Sequence, residues 1–374
     1  MMKCSSLRRR QGTVLCRPCE EKFEKETENR PLSPFDMHCD TISKIYELRR
    51  QGEDVGLRRN HLHLDLLRMK EVGYMGQCFA LFTYMPYMQE RGVDPAEYAK
   101  ALSDTLDREL EANADLIRLA LSAGDIKSNY REGFLSAVKT IEEGAVYKGS
   151  PEMVRFFYDL GVRKSTLTWN FENELAFPNR AVRDSVTGEY HVFPETERGL
   201  KKAGQDVVQL MEELGMLIDV SHLGDAGIFE VLDLVGAHTP VIASHSNARA
   251  VTGHPRNLTD QMLRGIAEHG GVTGINFCAA FLTEDRNDVS RIKDMVRHVR
   301  HIYNVAGSDA IGLGTDFDGI DDQLEINGAG EMQKLADALS AAGFTSGEIE
   351  KIFWRNVMRV YEEVLLPAGR RGSK

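Results

Sequence analysis

Gly215-Met216-Leu217-Ile218-Asp219-Val220-Ser221-His222 marks a change of period in the chain. The preceding residues, Leu200 to Leu214, read as a helix, and Gly215 is the kind of residue that ends one. Met216 to Ser221 is short and almost wholly apolar, the pattern of a strand buried on both faces. Such strands build parallel sheets, and parallel strands need helical crossovers between them.

The same alternation runs outward in both directions. Strands are expected at Pro34 to His38, Gly73 to Thr83, Ser136 to Glu142 and Val162 to Thr168. After Met216 to Ser221 they recur at Pro240 to Ser244, Val272 to Phe277 and Ala310 to Thr315. Between them lie helical stretches: Ile42 to Gln51, a long one from Asp94 to Ala123, Pro151 to Leu160, Leu200 to Leu214, Ala226 to Leu234, Thr259 to His269 and Val289 to Asn304. Asn170 to Pro194 reads as a polar loop. Two helices, near Glu331 to Ala342 and Ser346 to Val364, finish the chain. Eight strand–helix units predict an α/β protein, a (β/α)8 TIM-type barrel with C-terminal helices, over residues 31–374. A doubly wound open sheet is the alternative. It would normally carry a glycine-rich phosphate loop after an early strand, and none is present.

The 374 residues suffice for one large barrel. With 42% hydrophobic and 28% charged residues the composition is that of a globular protein. A net charge of -11 without a basic stripe argues against a nucleic-acid partner. No apolar run approaches a membrane span. Residues 1–30 read as a polar, poorly ordered extension. Arg8-Arg9-Arg10 lacks the apolar segment of a signal peptide, and Cys16-x-x-Cys19, with only Cys4 nearby, lacks the four ligands of a zinc knuckle. Cys39, Cys78 and Cys278 lie in apolar runs and read as buried thiols, and the expected location is cytoplasmic.

In a (β/α)8 barrel the active site lies at the C-terminal ends of the strands. The first strand ends in His38-Cys39-Asp40, the third in Glu142, the fifth in Ser221-His222, the sixth in Ser244-His245 and the eighth in Asp316-Phe317-Asp318-Gly319. His38 and Asp40 are two residues apart and share one side of an extended chain, a chelate suited to zinc. His38 and Asp40 on one ion, His222 and His245 on a second and Glu142 bridging would make a binuclear hydrolytic centre, its ions roughly 3.5–4 Å apart.

Each residue also has an ordinary reading. Single histidines such as His222 and His245 are more often structural. Glu142 or its neighbour Glu143 could face solvent, and Asp316 and Asp318 could be turn residues. His61 and His63 precede a helix and read as packing or surface residues. Lys139 and Lys164 lie before the ends of their strands and are weaker bridging candidates than Glu142. His191, His238, His254, His269, His298 and His301 lack ligand partners at suitable spacing.

Six motifs together resemble the membrane (renal-type) dipeptidases, zinc peptidases of the amidohydrolase group of barrels. They are Asp36-Met37-His38-Cys39-Asp40, Ile141-Glu142-Glu143-Gly144, Ile218-Asp219-Val220-Ser221-His222, Val241-Ile242-Ala243-Ser244-His245-Ser246, His254-Pro255-Arg256-Asn257 and Gly312-Leu313-Gly314-Thr315-Asp316-Phe317-Asp318-Gly319. The resemblance runs from about Pro34 to Val364. It implies two Zn2+ per chain on His38, Asp40, Glu142, His222 and His245. It also implies a metal-bridging hydroxide as nucleophile, Asp316 as its proton carrier and Arg256 as the contact for the substrate's free carboxylate, with Asn257 beside it in the substrate-binding set. Family members cleave dipeptides, often with a C-terminal D-residue, and typically form homodimers. One position departs: where mammalian members carry a His after the fourth strand's Thr-Leu-Thr, this chain has Trp169. Indole donates one hydrogen bond but carries neither proton nor charge, so Trp169 is expected in the substrate pocket, as a wall or an oxyanion donor. The competing expectations are a metal-dependent amidohydrolase acting on N-acyl amino acids or other small amides, and a barrel that binds amino-acid-like ligands without turnover.

Overall fold

Eight parallel strands close on one another in chain order: β1 (Phe35–Cys39), β2 (Gly76–Phe82), β3 (Leu135–Glu142), β4 (Val162–Thr166), β5 (Leu217–Asp219), β6 (Val241–Ala243), β7 (Val272–Ile275) and β8 (Ile311–Leu313). β8 pairs back onto β1 through Asp36 and Leu313, which completes the barrel and excludes the open sheet. This is a computed structural model, describing residues 32–183, 190–285 and 289–365. The expected N-terminal extension, with Cys4, Cys16 and Cys19, and residues 366–374 lie outside the described residues. So do 184–189 within the expected polar loop and 286–288.

The strands form where sequence places them because their apolar residues have burial on both faces available. Met37, Phe79, Val138, Ile141, Ile218, Ile242, Ile275 and Leu313 are all buried. Gly215 takes a left-handed conformation (φ 61°) and stops the helix Lys202–Leu214, so the chain turns at once into β5. Thr259 caps the helix Asp260–Glu268 by accepting from Met262 N.

Three expectations need correction. The long helix expected over Asp94 to Ala123 is two helices, Pro95–Ala112 and Ala123–Glu132, separated by a short strand, Ile117–Leu119, that adds to β3. Asn113 turns its amide back onto Glu109 O, and Ser122 caps the second helix, so both ends are chemically specified. The expected polar loop contains an antiparallel hairpin, Arg180–Arg183 with Tyr190–Phe193. The last helix is interrupted by a wide turn, Lys351–Arg355, between Ser346–Glu350 and Asn356–Val364.

Lys139 and Lys164 are both engaged away from the strand ends. Lys139 Nζ reaches Asp107 at 2.7 Å and Ser103 at 2.9 Å, and Lys164 Nζ pairs with Asp219 at 2.8 Å. Among the described residues no helix is long and apolar enough to cross a membrane.

Candidate active site

The C-terminal ends of β1, β3, β5, β6 and β8 deliver His38, Asp40, Glu142, His222, His245 and Asp316 to one place. Glu142 is the centre. Its Oε2 lies 3.3 Å from His38 Nε2, while its Oε1 lies 3.1 Å from His222 Nε2 and 3.6 Å from His245 Nε2. His38 Nε2 is also 3.2 Å from Asp40 Oδ2 and 3.7 Å from Asp316 Oδ1. His222 and His245 bring their Nε2 atoms to 2.8 Å, and the His38 and His245 rings stack with centroids 3.9 Å apart. The cavity above them, about 270 Å³, is lined by Asp40, Glu142, His222, Asp316, Trp169 and Phe82 among others.

Local backbone choices aim these groups. His222, Asp316 and Asp318 have φ values of 71°, 62° and 67°, and Glu143, next to Glu142, has 90°. Left-handed backbone is costly for a non-glycine residue, and its concentration around one site marks a geometry held by its surroundings. Two buried aspartates help to hold it. Asp36 Oδ1 accepts from Thr315 N at 3.0 Å and from His38 N at 3.3 Å, tying β1 to the segment that carries Asp316. Asp219 Oδ1 accepts from Ser221 N at 3.1 Å and from Ser244 N at 2.9 Å, tying the His222 end to the His245 end. At Gly319 an added Cβ would come within 2.4 Å of Asp316 Oδ1 and 2.5 Å of Asp40 Oδ2, so only glycine lets the backbone pass these carboxylates.

Polar neighbours orient the rings and the candidate base. His222 Nδ1 lies 2.9 Å from Asn170 Oδ1, and His245 Nδ1 2.8 Å from Ser244 Oγ. Asn276 Nδ2 donates to Asp316 Oδ2 at 2.9 Å. Glu143 does not face solvent: it is fully buried, accepting from Ala145 N and Trp169 N. Burial pushes its carboxyl up to about 7. His63 accepts from Asp318 N at 3.0 Å through Nδ1, and its backbone N–H donates to Asp318 Oδ1 at 2.8 Å. It is a packing residue, as expected, and it stabilises the turn after β8.

Electrostatics divide the cluster. Burial alone would lower His38, yet the Glu142 and Asp40 carboxylates beside it hold it well above the ordinary histidine range. Burial, aided by Arg256, lowers His222 to about 4, and burial with His38 nearby puts His245 well below its usual value. Burial would raise Glu142, but His38 and His222 outweigh it and keep the carboxyl ionised. Asp316 is raised, chiefly by burial, against the pull of His38.

The remaining expected residues lie around this centre. Arg256 is buried, donating from Nη1 to Ser246 Oγ at 3.2 Å and from Nη2 to His245 O at 3.4 Å. Its Nε is buried with no hydrogen-bond partner among the described residues. Asn257 spends its amide on Thr252 O and Phe281 O, bracing the segment that carries Arg256. The Trp169 ring stands 5.8 Å from the His222 ring and 5.2 Å from Phe82. Asp36, Asp219, Asn170 and Asn276 belong to the site although the strand-end pattern of ligand types does not pick them out. The two aspartates carry a sequence signal: each lies two or three residues before a ligand-type histidine.

The donor set suits divalent cations. Three imidazoles and two carboxylates converge, His38 Nδ1 and Asp40 Oδ1 are buried without a hydrogen-bond partner among the described residues, and two imidazole nitrogens face each other with lowered proton affinity. His38, Glu142 and His245 form one group able to hold an ion, and His38, Asp40 and Asp316 another.

Comparison with known proteins gives the family. Residues 28–370 match the model of the membrane dipeptidase family, peptidase family M19. A Schizosaccharomyces pombe protein described as an uncharacterized dipeptidase is 33% identical over 317 residues, covering 80% of this chain and 72% of its own. The crystal structure of dipeptidase AC, a metallo peptidase of family M19, superposes with a TM-score of 0.80 at 27% identity, covering 90% of this chain and 99% of that one. A metallo peptidase from Rhodobacter sphaeroides, liganded with a phosphinate mimic of the dipeptide L-Ala-D-Ala, superposes with a TM-score of 0.79 at 26% identity over the same shares. The family model spans nearly the whole chain and the barrel places six ligand-type side chains at one mouth, so this protein belongs to the membrane dipeptidase family and is an M19 metallopeptidase, a dipeptidase.

Proposed function

We propose that the chain hydrolyses dipeptides, including those with a C-terminal D-residue, using two Zn2+ ions. One ion would be held by His38 and Asp40, the other by His222 and His245, with Glu142 shared. The observation that carries this assignment is the division of Glu142: one carboxylate oxygen faces His38 and the other faces His222 and His245. The L-Ala-D-Ala mimic bound by the Rhodobacter sphaeroides enzyme supports the substrate class. When bound, the ions supply a hydrolytic water of lowered pKa and a Lewis acid for the scissile carbonyl.

The protein's own groups do the rest. Asp316, raised by burial and steadied by Asn276, takes the proton of the attacking water at Oδ1 and returns it to the leaving amine. Arg256, with N–H groups left over after Ser246 and His245 O, grips the substrate's terminal carboxylate. Glu143 pins Trp169 through its backbone N–H, so the pocket wall is set before substrate arrives. The ligand set is complete within one chain, and the free thiols Cys39, Cys78 and Cys278 support a reducing, cytoplasmic setting.

The test joins elemental analysis to a dipeptide-library hydrolysis screen on metal-replete protein. Close to two zinc ions per chain and cleavage of free dipeptides are expected. Active enzyme without bound metal, or cleavage confined to N-acyl amino acids, would refute the assignment.

A further inference from the structure

The mouth of the barrel is chemically lopsided. At the end of β2 and after β4 the chain places four aromatic rings together: Phe82, Tyr84, Trp169 and Phe171. Trp169 is the hub, 5.2 Å from Phe82, 5.6 Å from Tyr84 and 5.7 Å from Phe171, with Tyr84 and Phe171 themselves 6.0 Å apart. Tyr84 and Phe171 are 43% and 38% exposed, among the few large apolar side chains left open to solvent. Exposed aromatics gathered at a cavity rim mark a surface kept for contact.

This wall is continuous with the site. Trp169 N donates to the buried Glu143 at 3.0 Å, Phe82 pairs in register with Glu142, and the Trp169 ring stands 5.8 Å from that of His222. Phe82 and Glu47 line the catalytic cavity and also a second cavity of about 580 Å³, whose walls join Tyr84, Pro86, Tyr87, Met88 and Tyr98 to the polar Arg50, Gln51 and Glu90. Opposite, polar groups stand among Cys278, Phe281 and Ile320. Arg256 follows β6, and Asn276 and Asp316 follow β7 and β8.

Resting on the dipeptidase assignment above, we infer that the Phe82–Tyr84–Trp169–Phe171 wall and the cavity behind it form the subsite for the side chain of the substrate's N-terminal residue, and select bulky apolar or aromatic ones. The orientation follows from the topology. A dipeptide is short, and its two side chains diverge across the scissile bond. With the terminal carboxylate held by Arg256 on the β6–β8 side, the N-terminal residue points to the β2–β4 side, where the aromatic rings are. A broad apolar face gains from burying apolar area and offers small residues nothing in return.

The experiment measures kcat/KM on metal-replete, full-length enzyme for dipeptides ending in Ala of either hand, with Gly, Leu, Phe or Lys first. A reversed set carries Ala first. Phe and Leu are expected to exceed Gly at the first position by about tenfold or more, the lower range of hydrophobic-pocket discrimination, with a smaller spread at the second position. Tyr84→Ala and Phe171→Ala lie at exposed sites and should each shrink the Phe-to-Gly ratio several-fold, while Tyr84→Phe preserves it. A flat first-position series, a preference for Lys drawn by Glu47 and Glu90, or an unchanged ratio in both alanine variants overturns the inference while leaving the dipeptidase assignment intact. Absence of cleavage of every dipeptide overturns that assignment and the inference with it.

Discussion

Asn170 Oδ1 sits 2.9 Å from His222 Nδ1. An amide oxygen can only accept, so Nδ1 carries the ring proton and Nε2 presents its lone pair towards Glu142 and His245. Asn170→Ala should therefore weaken metal binding about 10- to 100-fold, the usual cost of removing an outer partner of a ligating histidine. Asn170→Asp, which keeps the acceptor, should weaken it less. Chelator-competition titrations measure this directly. Unchanged affinity in Asn170→Ala would show that His222 needs no such orientation.

Asp316 and Asp318 are separated by one residue but engaged differently. Asp316 faces His38 and Asn276, whereas Asp318 is bound up with His63 and Thr41. Asp316→Asn should keep the fold and most metal while lowering kcat by about 100-fold or more, the scale of losing a general base. Asp318→Asn should lower thermal stability more than kcat. Near-normal turnover in Asp316→Asn would remove it from the chemistry.

The strands were legible because most are short, largely apolar runs between helical segments, β4 (Val162-Arg163-Lys164-Ser165-Thr166) excepted, and a period change survives errors of a residue or two at the ends. The ligand types were legible because they stand at those ends. The split of the Asp94 to Ala123 helix was not, since it turns on Asn113 folding back onto Glu109 and on Ser122 acting as a cap, both matters of local geometry. Asn170 and Asn276 were equally silent. Their partners, His222 and Asp316, lie 52 and 40 residues away in the chain, and only the closed barrel brings each pair together.

Arg256 keeps Nε and further N–H groups available beside the site while Phe281 covers its guanidinium at 5.3 Å. Amidating a dipeptide's C-terminus removes the charge-assisted pair this arrangement is suited to. Amidated dipeptides and tripeptides should be poor substrates, and Arg256→Lys should not restore activity towards free dipeptides. Equal kcat/KM for free and amidated dipeptides would give Arg256 another role.

His298 links acid stability to the same loop. Its Nδ1 accepts from Ala248 N and its Nε2–H donates to Leu282 O, both at 3.1 Å, so the folded ring is neutral. Burial lowers it from 6.5 to about 4. The unfolded chain therefore binds the extra proton, and stability is lost as pH falls from about 6.5 to about 4, by up to about 3 kcal/mol for this group. His298→Gln should flatten the dependence of Tm on pH across that window. An unaltered slope would assign the acid lability elsewhere.

Lys164 and Asp219 form a fully buried pair, and Asp219 also fastens the ends of β5 and β6. Lys164→Met leaves an uncompensated carboxylate in the interior and should cost about 3–5 kcal/mol. Asp219→Asn keeps an oxygen for Ser221 N and Ser244 N but strands the ammonium, and a similar loss is expected. In the double variant both charges are gone while the amide oxygen still bridges the strands, so its loss should be smaller than the sum of the single losses by about 1–3 kcal/mol. Denaturant unfolding of the four proteins at neutral pH measures this coupling. A strictly additive double variant would mean that the pair does not act as a unit, and that Asp219 holds the His222 and His245 ends without help from Lys164.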